Sequence, residues 1–195
     1  DKNDNQYKIL KFVFKLIHLD KSAEIFDPSC ADIVGHILES IGEIQYYESK
    51  EQLEVIHKSI KFLIETKEED MWMARWGINY VYAVGAVLPG LAKIGFNLKE
   101  PWVVSAIKKL QEIQHEDGGF GEDSDGYNRK AFTDGVSTVS MTAWGLLAYV
   151  EVANFMDVDQ NMKAAIDYIA RNFRENKNQF FDRSVVGTGH RGLLN

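Results

Sequence analysis

From residue 30 to residue 173 the apolar side chains recur three and four apart, broken only by short polar turns, and that rhythm commits the chain to helices packed on helices. The periodic segments are 5–17, 30–42, 51–65, 79–94, 101–114, 138–153 and 160–173. No strand pair is expected. Gly42 and Gly95 follow apolar runs as stops, Pro101 occupies a first helical turn, and Asp27-Pro28-Ser29 is an entry turn. The break after 101–114 is the most specific. It reads Gln114-His115-Glu116-Asp117-Gly118-Gly119-Phe120-Gly121-Glu122, an amide, an acidic turn, two glycines and an aromatic. Gly118 and Gly119 permit the positive backbone angles of a tight reversal, which would let Phe120 fold back on Ile107, Leu110 and Ile113.

Two other segments follow the same plan. Ile60-Lys61-Phe62-Leu63 leads to Trp72, and Ile166-Asp167-Tyr168-Ile169 leads to Phe180, as Ile107-Lys108-Lys109-Leu110 leads to Phe120. The spacing is about 50 residues, the size of a helix pair with its loops. Such pairs bury their faces against neighbours, so an array curves into a solenoid or closes into an α/α barrel. The copies are unequal: the first has Thr66 and Asp70, and the third Asn172 and Asn178, where the middle copy has its glutamine and glycines.

Composition removes several function classes. A net charge of −7 and a pI near 5.3, with no long Lys/Arg run, exclude a nucleic-acid surface. Cys30 is the one cysteine, which excludes an intrachain disulfide and fits a reducing compartment. No secretory leader is legible at Asp1, and the longest apolar stretch, 80–92, holds Pro89 and falls short of the ~20 residues a spanning helix needs. Glu122, Asp123 and Asp125 form an acidic loop expected to be solvated, and Asp157-Val158-Asp159-Gln160-Asn161 lacks the glycine and closing carboxylate of a calcium loop. The histidines are scattered, so no metal and no cofactor is expected. Lys8, Lys11 and Lys15 line one face of segment 5–17, a pattern compatible with an anionic membrane surface or with ordinary amphipathic packing.

Four ordered motifs carry a family resemblance. They are Asp27-Pro28-Ser29-Cys30-Ala31-Asp32-Ile33-Val34-Gly35-His36-Ile37-Leu38-Glu39; Ala74-Arg75-Trp76-Gly77-Ile78-Asn79-Tyr80-Val81-Tyr82; the Gln114 turn with Thr142-Ala143-Trp144; and Gly187-Thr188-Gly189. The chain closely resembles the C-terminal part of squalene–hopene cyclases and their triterpene and sesquarterpene relatives. The Gln114, Gly118, Gly119 and Phe120 turn resembles that family's QW repeat, with Phe120 where tryptophan is usual.

The resemblance implies an all-α, partial α/α barrel: residues 1–195 as a single C-terminal fragment of a class II cyclase. Such an enzyme protonates a terminal alkene of a linear thirty- or thirty-five-carbon polyprene and lets the carbocation run through successive ring closures. The chemistry needs a strong acid, a dry cavity and aromatic walls, each cation–π contact being worth about 0.5–2 kcal/mol. The family's proton donor, in a D-x-D-D motif, is absent, so the fragment is expected to be inactive alone and to associate with itself through open apolar faces.

Specific residues follow from the same likeness. His36 matches the histidine that pairs with the catalytic acid, with Asp32 one turn earlier to orient its ring. Trp76, Tyr80 and Tyr82 match a cavity wall, and His190 stands where the family places a late aromatic. Trp144 is expected to pack on the Phe120 turn. The implied partners are the polyprene, the rest of the cyclase chain and a membrane touched peripherally, on its cytoplasmic side, by a monotopic full-length enzyme whose fragment is soluble. Two other classes share the architecture: a non-catalytic α/α-barrel scaffold or binding module, and a protein prenyltransferase β-like subunit, which needs zinc.

Overall fold

The structure is a computed structural model that describes residues 29–45, 49–75, 77–182 and 184; all but Ser29 of these lie in one compact unit, Cys30–Thr188. In chain order the elements are α1 (Ala31–Glu43), α2 (Lys50–Glu65), α3 (Tyr80–Lys93), α4 (Pro101–Ile113), β1 (Phe120–Glu122), a single helical turn α5 (Gly126–Arg129), β2 (Asp134–Thr138), α6 (Val139–Val152) and α7 (Asp159–Glu175). Segment 5–17 falls outside the described residues. Every other long helix expected from periodicity is present to within two residues at each end. Their starts follow local chemistry. Ser49 and Gln52 form a reciprocal capping box on α2, Pro101 opens α4, and Thr138 accepts the Met141 amide at the head of α6.

Alternate helices form two layers. Helix α1 packs on α3, and α3 on α6, while α2, α4 and α7 lie against them as a second row. The sequence dictates the sorting. Helix α3 carries one charge, Lys93, and α6 carries one, Glu151, so both are apolar nearly all round; α3 is buried between neighbours, while α6 leaves Leu147 and Val150 half exposed. Helices α2 and α7 bear a charged face and show it to water, which is the layering expected of part of an α/α barrel.

Glycines set how closely the first row packs. A Cβ on Gly35 would lie 2.5 Å from the Ala86 carbonyl oxygen, and one on Gly42 would lie 2.5 Å from the Lys93 carbonyl carbon. Moving along α1 therefore moves along α3 in the same sense, so the two helices run parallel. Gly85 meets the backbone of Trp144 on the next helix in the same way. Gly42 is thus a contact inside α1, not the stop expected of it; the helix runs one residue further, to Glu43. Gly95, at φ +71°, does follow the end of α3.

The Gln114 turn closes as a clasp between layers. The Gln114 side-chain nitrogen donates to the carbonyls of Gly118 and Asn161, and its oxygen accepts from the Asn161 amide at 2.7 Å, tying the turn to the first turn of α7. Phe120 is wholly buried, but its ring lies against Gly145 and Tyr149 of α6. Its amide donates to Thr142 Oγ1. Only Gly118 takes a positive φ; Gly119 is required for space, since a Cβ there would meet the Ser137 side chain at 2.6 Å. The first copy is also stapled: Trp72 is buried and its indole N–H donates to the Leu63 carbonyl. In the third copy Phe180 stays 63% exposed, resting on Phe173.

A strand pair is present against expectation. Strands β1 and β2 run antiparallel, pairing Phe120 with Thr138 and Glu122 with Asp134 across an irregular register. Both are too short and too rich in glycine for a period-two pattern to be visible, and α5 lies between them.

Candidate functional site

Three first-row helices each contribute one ring to a line across a single face. His36 Nε2 of α1 lies 3.3 Å from the Tyr82 hydroxyl of α3, and the Tyr82 ring lies 4.6 Å, centroid to centroid, from Trp144 of α6. Parallel helices make this line possible, because Gly35 and Gly85 let the backbones approach until neighbouring side chains meet. Apolar residues flank the line on the same faces: Ile33 and Ile37 beside His36, and Leu147 one turn beyond Trp144, all more than a third exposed. Apolar residues exposed together in this way make the face a candidate contact surface.

Asp32 lies beneath the line. It is wholly buried in the first turn of α1, and neither carboxylate oxygen has a hydrogen-bond partner among the described residues. A carboxylate taken out of water without a partner is costly, although its place in a helix's first turn offsets part of that cost. No hydrogen bond joins Asp32 to His36. The ring is held instead by Tyr82 and by Glu39, whose carboxylate is 3.6 Å from Nδ1. Burial, and then the negative charge of Asp32, hold the Tyr82 hydroxyl above its usual pKa, so it remains a proton-bearing group.

Tyr80 does not belong to this line. Residues two apart on a helix differ by about 200° in direction, so where Tyr82 meets His36, Tyr80 turns into the core. Its ring is wholly buried and its hydroxyl donates to Glu68 Oε2. Trp144, in turn, faces Tyr82, while it is Gly145 that meets Phe120. Trp76 and His190 lie outside the described residues.

Glu122 also departs from the sequence reading, which put it in a solvated loop. It is 1% exposed, and its carboxylate accepts from three consecutive amides at the head of α3: Asn79 at 3.2 Å, Tyr80 at 3.0 Å and Val81 at 2.6 Å. Asp182 does the same for α6, accepting from the amides of Val139 and Ser140. Both acids stand two residues past the aromatic of their copy, so the second and third copies each include a carboxylate that caps the preceding first-row helix, where the first copy has Ala74. Burial pushes the Glu122 pKa up to about 7, against the lowering pull of the three amides. A carboxyl that holds its proton more tightly folded than unfolded adds stability below its unfolded pKa and loses it as pH rises through the folded one. Stability is therefore expected to fall by about 3 kcal/mol from this group between pH 4.5 and pH 8. Urea midpoints across that range, compared with Glu122→Gln, test it: the variant should lose most of the slope, and an unaltered slope would place the titration elsewhere.

A row of helical hairpins, one of them clasped by a glutamine–aromatic turn, with His36 and Tyr82 on one face and Asp32 buried beneath them, defines an α/α-barrel protein of the terpene-cyclase type. The chain belongs to the squalene–hopene cyclase C-terminal domain family, whose model matches residues 2–194. It is 45% identical to the squalene–tetrahymanol cyclase of Tetrahymena thermophila over 202 residues, covering all of this chain and 30% of that protein. It is 36% identical to the squalene–hopene cyclase of Alicyclobacillus acidocaldarius over 129 residues, 65% of this chain and 20% of that protein. Dammaradiene synthase of Dryopteris crassirhizoma is 29% identical over 75% of this chain and 23% of its own length. The chain thus spans less than a third of each of these relatives.

Proposed function

We propose that the complete protein is a class II polyprene cyclase and that this chain supplies one wall of its cavity, together with the groups that support its acid. The observation that carries the reading is the line His36–Tyr82–Trp144, drawn from three helices onto one apolar face above a buried, unpartnered Asp32. The relatives' names supply the substrate class, a linear polyprene of the squalene type.

In this reading a carboxylic acid from the remainder of the protein gives its proton to the terminal alkene. Its O–H bond breaks, a C–H bond forms, and the positive charge appears on the tertiary carbon. Successive alkene π pairs attack and close rings, moving the charge along the chain, until the last cation loses a proton or captures water. His36, in its charged form, stabilises the carboxylate left behind, and Tyr82 fixes the ring that does so. Trp144, with Trp76, offers π faces to passing cations. Ile33, Ile37 and Leu147 keep the chamber free of water that would trap them. His190 is proposed to lie near the later cationic centres. No helix among the described residues is long and apolar enough to cross a membrane.

The test is turnover. The complete protein, incubated with squalene and with its thirty-five-carbon homologue, should convert at least one to an isomeric or hydrated polycycle identifiable by mass spectrometry. Recovery of both polyprenes unchanged would favour a scaffold of the same architecture.

A further inference from the structure

We propose that Glu122 is a positioning residue for the proposed cyclisation: its carboxylate fixes the first turn of α3, and through that turn holds Tyr82 against His36 and Trp144. The reasoning begins with what α3 lacks. Asn79 stands at its N-cap, yet makes no capping bond with its own side chain. The first amides of a helix have no partner within the helix, and here they are buried, so an acceptor must come from elsewhere. Glu122 provides it from β1, more than forty positions along the chain, with Oε1 taking the Asn79 and Val81 amides and Oε2 the Tyr80 amide.

The fixed turn has two dependants. Tyr82 is the residue after the last amide held, so any tilt of this turn moves its ring relative to His36, 3.3 Å away, and Trp144. Asn79 continues the connection in the other direction: its side-chain oxygen accepts the Ala74 amide at 3.0 Å, which ties Ala74 to the head of α3. Glu122 is itself fixed. Its strand pairs with Asp134 of β2, and its own amide points at the Met141 sulfur on α6, 3.1 Å away. The acid thereby joins α3 to the helix that carries Trp144. Glu122 touches none of the three rings and acts only through backbone.

This inference rests on the cyclase reading, and the experiment separates the two. Glu122→Gln in the complete protein keeps one acceptor oxygen but turns an N–H₂ toward the Tyr80 amide. Displacement of a reacting group by about 1 Å costs on the order of a hundredfold in rate, so kcat should fall roughly ten- to a hundredfold while KM for squalene stays within about twofold. Gln111→Ala, which removes a surface clasp to α7, is the control and should leave both constants unchanged. Should Glu122→Gln fail to fold, Asn79→Ala cuts the next link and should lower kcat in the same direction. Fluorine NMR of protein carrying fluorotyrosine gives a readout independent of turnover. The Tyr82 resonance, assigned with Tyr82→Phe, should move in Glu122→Gln and not in Gln111→Ala. Wild-type protein without turnover would sink the cyclase reading alone; an unmoved Tyr82 resonance or an unchanged kcat in the folded variant would overturn the positioning role.

Discussion

Replacing His36 by alanine in the complete protein should lower kcat at least a hundredfold and leave the fold intact. The side chain is 49% exposed and its two contacts, Tyr82 and Glu39, are polar groups that water can serve in its place, so little stability is at stake. Catalysis is another matter. A positioned imidazole assisting proton transfer contributes about 10²- to 10⁴-fold, because an acid strong enough to protonate an alkene must leave behind a stabilised carboxylate. Tyr82→Phe should cost less, roughly tenfold, since it removes the hydroxyl that orients the ring and keeps the ring that meets Trp144. Steady-state kinetics with squalene, alongside thermal melts, decide the matter. Wild-type kcat in a folded His36→Ala protein would take the histidine out of the mechanism. A matching fall in melting temperature would show that its role is in packing.

How far this site can be read from the chain depends on which residues are asked about. The helices announce themselves because each has an apolar stripe at its own period, and even the layering is latent in α3 and α6, which carry a single charge each. His36, Asp32 and Tyr82 came from a family likeness, not from periodicity; an Asp and a His one turn apart on an ordinary helix would read as surface. The surroundings of Tyr80 and Trp144 are not legible in the likeness, for one shared reason. A likeness between sequences brings neighbours along together, whereas each residue turns a helical side chain by about 100°, so Tyr80 parts from Tyr82 and Trp144 from Gly145. Glu122 was misread because a carboxylate among acidic neighbours looks solvated. The acceptor it supplies answers a need at residues 79–81 that no local pattern displays. Its counterpart Asp182, two residues past the third aromatic, is the signal that could have revealed it.

Gly35→Ala should destabilise the protein by about 3 kcal/mol, although alanine is the better helix former by about 1 kcal/mol. The sign follows from what the new methyl group would meet. It would lie 2.5 Å from the Ala86 carbonyl oxygen, 2.7 Å from its carbon and 2.9 Å from the Val87 Cα, all backbone atoms of a helix buried on nearly every side. A side chain could rotate away, but α3 cannot yield without parting from α6 or from the Glu122 carboxylate that holds its first amides. Helix α1 must therefore move outward, and Leu38, fully buried on the same face as Gly35, loses contact with it. For a domain of this size roughly 2–4 °C of melting temperature corresponds to each kcal/mol, so a drop of about 6–12 °C is expected. Gly95→Ala supplies the contrast. Nothing lies within 4 Å of its added methyl group, so only the positive φ of +71° opposes it and the loss should be about 1 kcal/mol. Because α1 carries His36, Gly35→Ala should also open the gap to Tyr82 and reduce turnover of whatever protein remains folded. Equal melting temperatures for the two variants would mean that α1 and α3 do not approach as closely as the glycines allow.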